Sequence, residues 1–478
     1  MLSARTLSLN TAIWPLQYAA LVAAMSVIFG CDLGTLFINQ QYLSNLFLLS
    51  LNRSHVIIGT YILGFIFGTF ISGYVTYGSG RKITIVSSSL VGSFAILASA
   101  VAPNFAIFLC SEFVIGFSFG LFFIAACLYN CELMLPSLRG TALSFIPIGT
   151  ACGTLLSLIT YTDPVSKPLV VFIVLVILNL ILLATTVIKL PESPRYLALT
   201  GSTDAALAVL FKLRHDMGMA ARELAEINEC CRGENRSLEF YIQNTIYRRL
   251  LAFICVSTFI LNMAGSFIIP YVLLDNLSLV LLCEENNYCY YDLNSALIYT
   301  TFTLIFISVL LHALALTRFS RRFIVLFSLS TACTFLAITT ITSLLPHSDL
   351  KNYILTIALL AFIFFGMGFY SIFMCVLIPE LLPIRGREFG FAAIVLAQGI
   401  GQLFSMQAYT PMIHQLGFSS FLAMATLLMG ISLYFLYLFL PPLTGQKSLE
   451  GIELRVMSLP KFMSLRHLTS AATSNTMR

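Results

Sequence analysis

The sequence predicts an all-α membrane protein: twelve spanning helices in two six-helix bundles. Three observations carry this. Of 478 residues, 58% are hydrophobic and only 10% charged, whereas an ordinary soluble domain has roughly 25% charged residues. Twelve apolar runs reach the ~20 residues that a helix needs to cross a bilayer. They lie near 14–38, 56–77, 83–102, 105–131, 140–162, 168–190, 250–274, 294–316, 322–345, 352–380, 386–410 and 418–440. A single long polar connection, 191–249, divides them six and six.

Charge placement sets the expected orientation. With both termini inside, only Arg53, Lys167 and Lys351 of the 26 basic residues fall in external loops, which is the positive-inside pattern. A multi-pass plasma-membrane protein with cytoplasmic termini is expected. The net charge of +5 then reflects topology and gives no support to a nucleic-acid partner. Residues 1–13 are short and polar and the first apolar run is already span-length, so no cleaved leader is expected. The chain divides into a bundle at 1–190, a cytoplasmic linker at 191–249, a second bundle at 250–440 and a cytoplasmic tail at 441–478. Within the linker, ALAVLFKLRH (206–215) and AARELAEINE (220–229) have apolar residues at helical spacing. Both read as short amphipathic helices at the cytoplasmic surface.

Most of the 12 cysteines fall inside spans, as packing residues, while Cys230 and Cys231 fall in the expected cytoplasm. Cys283 and Cys289 share the external stretch LLCEENNYCYYD (281–292). An oxidising compartment would permit them to pair, although sequence spacing alone does not fix that geometry. Asn52-Arg-Ser and Asn276-Leu-Ser are sequons on expected external loops.

Along the chain, helix 1 carries Asp32 in IFGCDLGTL (28–36), and helix 4 carries Glu112 in CSEFVIGFSFG (110–120). Both lie six or seven residues from the outer end of their helix, roughly 10 Å deep at ~1.5 Å per residue. A carboxylate in hydrocarbon is a functional candidate by default. His312 in helix 8 is a weaker one, expected to pack near the cytoplasmic end. The charged punctuation repeats between halves. GSGRK (78–82) follows helix 2 and RFSRR (318–322) follows helix 8; ELMLPSLRG (132–140) follows helix 4 and ELLPIRGRE (380–388) follows helix 10. Duplicated six-helix units are typical of secondary transporters, with a solute site near the midplane between the halves. No phosphate loop, metal-ligand cluster or nucleophile motif stands out, so an enzyme, a cofactor and a metal are not expected.

PESPRYL (191–197) closely resembles the PESPRWL signature of the sugar porters, a family of the major facilitator superfamily. FGCDLG (29–34), YNCELMLPSLRG (129–140) and LTGQKSLEGIE (443–453) resemble three further segments of that family. The likeness covers nearly the whole chain. It implies transport of a sugar-like small solute by alternating access, with Asp32 carrying a coupling proton. It also implies a cytoplasmic latch of ion pairs: Arg81, Glu132, Arg139, Glu192 and Arg195 under the first half, Arg321, Arg322, Glu380 and Arg387 under the second. A transporter of a non-sugar, such as an organic cation, and a non-transporting nutrient sensor are the alternatives.

The chain departs from the family at several of these places. Tyr77 and Thr317 stand where loop acids are usual and Leu443 where a Glu is, which predicts a thinner latch. Pro147 replaces a sugar-binding Gln, and Cys375 replaces a Trp. In helix 7, LNMAGSF (261–267) keeps Asn262 and has Phe267 in place of an Asn. Asn262, Phe267 and Tyr271 on the seventh span, with Gln398 and Gln402 on helix 11, are the candidate substrate-binding set. Glu112 stands where the family has an Arg paired with the helix-1 Asp. Two carboxylates in a low-dielectric site do not comfortably both ionise, so Asp32 and Glu112 are expected to share a proton.

Overall fold

An apolar segment in hydrocarbon must satisfy its own backbone hydrogen bonds, and a helix does so within one segment. The computed structural model describes residues 9–39, 43, 47, 51–161, 167–231, 237–265, 287–346, 348–441 and 448–457. Among these, twelve helices are long and apolar enough to span a membrane. They are α1 (Leu9–Ile38), α2 (Leu51–Ser79), α3 (Arg81–Ala100), α4 (Phe105–Leu133), α5 (Arg139–Leu156) and α6 (Lys167–Lys189) in one half. The other half has α7 (Thr245–Met263), α8 (Asn287–Ala315), α9 (Arg321–Ser343), α10 (Asp349–Ile372), α11 (Arg387–Leu416) and α12 (Phe418–Phe439). The expected Phe267, Tyr271, Cys283, Asn276 and Leu443 lie outside the described residues, as do the side chains of Asn52 and Cys289.

Two helix ends differ from the apolar pattern for local reasons. α5 stops at Leu156, and a separate turn (Leu158–Tyr161) follows. There the Ser157 and Thr160 hydroxyls donate to the carbonyls of Thr154 and Ser157 at 2.6 Å, and such back-bonds compete with the helix ladder. α10 runs into a π-helical turn, Phe373–Leu377, before ending as Ile378–Leu381. Pro379 cannot donate to the Cys375 carbonyl and its ring crowds that group, which is the usual cause of such a distortion.

The linker forms both expected helices, Thr203–Arg214 and Met217–Cys231, the first closed by His215 in the left-handed region (φ 55). Their apolar faces pack on each other, on Ala198 and Leu199, and on Ile384 from the second half. Protein therefore covers these faces.

Glycines four residues apart set the closest helix contacts. Gly30 and Gly34 of α1 face Thr150, Thr154 and Ser157, while Gly149 and Gly153 of α5 face Ala23 and Val27. Between α2 and α4 the pattern is the same: Gly64 and Gly68 face the Phe113 and Phe117 backbone, while Gly116 and Gly120 face that of Tyr61 and Phe65. A Cβ at Gly116 would lie 2.1 Å from the Tyr61 carbonyl oxygen, and one at Gly153 2.1 Å from that of Val27. In lipid no hydrophobic force pulls helices together, so such close approach is what holds the pairs. Polar side chains add to it: Asn179 of α6 donates to Ser89 and Ser93 of α3 at 2.9 and 2.7 Å. The two halves meet along α2–α11 and α5–α8. Outward faces such as Val174, Ile177, Ile181 and Ile188 of α6 are exposed apolar surface, as a lipid-facing helix requires.

Gly153→Leu is expected to destabilise the α1–α5 contact by roughly 1–3 kcal/mol or more, the usual cost of overpacking. Gly59→Ala, which meets nothing within 4 Å, is expected to be neutral. Thermal unfolding of the detergent-solubilised variants checks both.

Candidate functional site

A cavity of about 220 Å³ lies between the halves. One wall is built by Phe29, Tyr61, Phe65, Phe119, Phe123 and Thr150, and the other by Asn262, Thr301, Phe302, Tyr370, Gln398 and Gln402. Its rings pack on one another: Phe29 lies 5.3 Å from Phe119, and Phe65 5.7 Å from Phe119. Pro147 and Cys375 line the same space. It is smaller than the roughly 300–1,000 Å³ of a drug-sized pocket. No charged residue is among the described lining residues.

Its polar groups are few and under-used. Asn262 donates to the Thr258 carbonyl at 2.8 Å, which leaves its Oδ1 without a partner. Gln398 Oε1, Thr301 Oγ1 and the Tyr61 hydroxyl are likewise buried and unpartnered. Unpaired buried polar groups of this kind are costly unless a ligand or water serves them. Thr301 and Tyr61 were not legible from the sequence as site residues: a lone Thr or Tyr in an apolar helix resembles ordinary packing.

Asp32 and Glu112 come together beside this cavity without lining it. Both are buried and within electrostatic reach of each other and of Tyr61. Glu112 Oε1 accepts from the Ser99 hydroxyl at 2.6 Å, and its Oε2 and Asp32 Oδ2 have no partner. His312 is held differently, between the Ser308 carbonyl (2.8 Å) and the Ser328 hydroxyl (3.0 Å), with its ring against Gly368.

The repeated charges converge on one face of the bundle, the charged face. Each half pairs internally: Arg81 binds Glu132 through two bonds of 3.0 and 3.1 Å, and Arg321 binds Glu380 at 2.7 Å. Each half then reaches the other: Arg387 to Glu132 at 3.7 Å, and Arg139 to Glu380 at 3.9 Å. The pattern has the symmetry of the duplication. One further cross-half pair, Arg81–Glu388, breaks it. Glu388 ends the quoted ELLPIRGRE, where the first half has Gly140, and repeat matching passes over it for that reason.

Four expectations for this face need correction. The latch is not two separate clusters, because three of its pairs cross between halves. It is not thin at Tyr77: the Tyr74 and Tyr77 rings sit 5.0 and 5.8 Å from Phe389 of the other half, and Glu388 adds its charge alongside. The hydrogen bonds of the Glu192 carboxylate go to backbone and not to an arginine side chain among the described residues. It accepts the backbone N–H groups of Arg81, Lys82 and Ser193 at 2.9–3.2 Å, capping the start of α3; burial lifts its carboxyl above the ordinary value despite these bonds. Arg322 donates to the Tyr437 carbonyl instead of joining the cluster.

Arg195 reaches outward, to Glu450 of the helix Leu449–Met457 at 3.0 Å and to Glu223 of the linker at 3.6 Å. Burial alone would raise the Glu223 carboxyl, but its bonds to Arg214 and the nearby arginine charges hold it below the usual range. Glu453 of the same terminal helix accepts from the Ile384 N–H at 3.0 Å, so this short helix ties both halves at the charged face.

Comparison with known proteins agrees with this architecture. The family described as sugar (and other) transporter matches residues 19–454. The galactose-proton symporter of Escherichia coli (strain K12) is 25% identical over 445 residues, covering 91% of this chain and 93% of its own. The arabinose-proton symporter of the same strain is 26% identical over 215 residues, covering 45% and 46%. The proton:xylose symporter XylE bound to 6-bromo-6-deoxy-D-glucose superimposes with a TM-score of 0.77 at 18% identity, over 92% of this chain and 98% of that one. The inward-open form of XylE from E. coli reaches 0.63, at 17% identity over 92% and 100%. The chain belongs to the sugar-transporter family and has the major facilitator fold.

Proposed function

We propose that the protein carries a small, uncharged, sugar-like solute across the plasma membrane by alternating access, driven by a proton held on Asp32 and Glu112. The observation that carries this is the cavity: both halves wall it, no charged residue lines it, and Asn262, Gln398 and Thr301 leave buried oxygens unserved. Solute hydroxyls would satisfy those oxygens, and Asn262, Gln398 and Gln402 are the proposed binding residues. The aromatic walls favour a solute with an apolar face over one bearing hydroxyls all round. An organic cation would find no acid among the described lining residues. The names of the galactose-proton and arabinose-proton relatives support the same reading.

The charged face, proposed to be cytoplasmic as the positive-inside pattern requires, acts as the gate. Its cross-half pairs hold that side shut and must separate when the halves rock. Stranding one buried partner costs about 3–5 kcal/mol, enough to set which state predominates. Proton coupling follows if solute movement depends on occupancy of the acid pair.

In proteoliposomes screened with a panel of sugars, uptake is expected to rise with an inward proton gradient. Asp32→Asn should abolish that dependence while leaving exchange across equal pH. Gradient-insensitive uptake by the unaltered protein would sink the proton reading. Glu388→Gln removes the one cross-half pair that breaks the symmetry. It should raise solute access from the charged side, measured as binding in inside-out vesicles, relative to access from the opposite side. An unchanged ratio would remove Glu388 from the gate.

A further inference from the structure

The acid pair and the cavity are adjacent but separate, so something must let one sense the other. Tyr61 is common to both. It lines the cavity, is 4% exposed, and its hydroxyl has no hydrogen-bond partner. It also lies within electrostatic reach of both carboxylates. Its backbone is fixed, because the Tyr61 carbonyl is pressed against Gly116 of α4, one helical turn from Glu112. Only the ring torsions are left to aim the hydroxyl.

Resting on the acid-pair reading above, we propose that Tyr61 couples the two sites by directing its single phenolic proton. When Asp32 and Glu112 carry no shared proton, the Tyr61 O–H donates to an ionised carboxylate. When the pair is protonated, the O–H is released to donate to an acceptor oxygen of the solute. Tyr61 is never deprotonated: the transported proton enters and leaves on the carboxylates, and the phenol only turns. A phenol offers one donor, so its two clients compete. Protonation and solute binding then favour each other, and by linkage the favour is equal in both directions.

The surroundings leave few rivals for this role. Facing the pair are Asp32 and Cys31 on α1, Glu112 on α4 and Ser99 on α3, whose hydroxyl is already given to Glu112. Besides the charged face, the only basic side chains in the sequence of α1–α4 are Arg53 and His55. Both belong to the far end of α2, more than a turn from Tyr61.

Infrared titration of the full protein in lipid, without solute, tests the proposal by following the protonated-carboxyl C=O band. Tyr61→Phe removes an unpartnered hydroxyl and should fold. It deprives the ionised pair of a donor, and a bond to a charged group is worth tenfold or more, so the pair should hold its proton at least about tenfold more tightly. Tyr370→Phe, which alters another cavity tyrosine, should leave the midpoint unmoved. If Asp32→Asn and Glu112→Gln abolish the band but Tyr61→Phe leaves the midpoint in place, the Tyr61 role is wrong and the acid pair stands. If those two variants leave the band intact, the acid-pair reading falls and the Tyr61 role falls with it.

Discussion

Glu132 is buried at the meeting point of the two halves, and this burial organises the charged face. A carboxylate there is tolerable only with positive partners in place. Arg81 supplies one from its own half and Arg387 supplies another from across the interface. The linker contributes as well, since Arg195 donates to the Glu132 backbone carbonyl and Ser193 to its side chain. Glu380 occupies the matching place in the second half, with Arg321 as its own partner and Arg139 from across. The two acids are thus each stabilised by the opposite half, and neither half satisfies its own charges alone. In the proposed mechanism these cross-half contacts are the defined set that must break for that face to open.

The cavity above it has the opposite character. Its walls are mostly aromatic, and its few polar atoms point inward with capacity to spare. Charge is placed where the halves lock and kept away from where a solute would lie. The acid pair is the exception, set beside the cavity within reach of Tyr61. The pair replaces the acid–base arrangement implied by resemblance, and in the proposed mechanism a proton takes the neutralising place of the arginine.

Much of this was legible in the sequence. Apolar length reported the spans, because bilayer thickness fixes it. The duplicated loops reported Glu132, Arg139, Glu380 and Arg387, because a repeat preserves spacing. Pairing across the halves was not legible, since spacing within one repeat says nothing about contacts between repeats. Glu388 escaped notice because it has no counterpart in the first half, and Tyr61 because an isolated aromatic in an apolar helix has no periodic signature. Glu192 was read as an ion-pair partner, but its carboxylate accepts the first backbone N–H groups of α3, a helix start remote in sequence that local spacing does not connect to it.

The central claim is that charge burial between the halves holds the charged face closed. Spin labels at Gly78→Cys and Arg318→Cys, exposed positions on opposite halves, measure that directly by pulsed dipolar spectroscopy. With the native network the account predicts one short distance. With Glu132→Gln added, a longer population should appear or dominate. Identical distance distributions for the two proteins would contradict it.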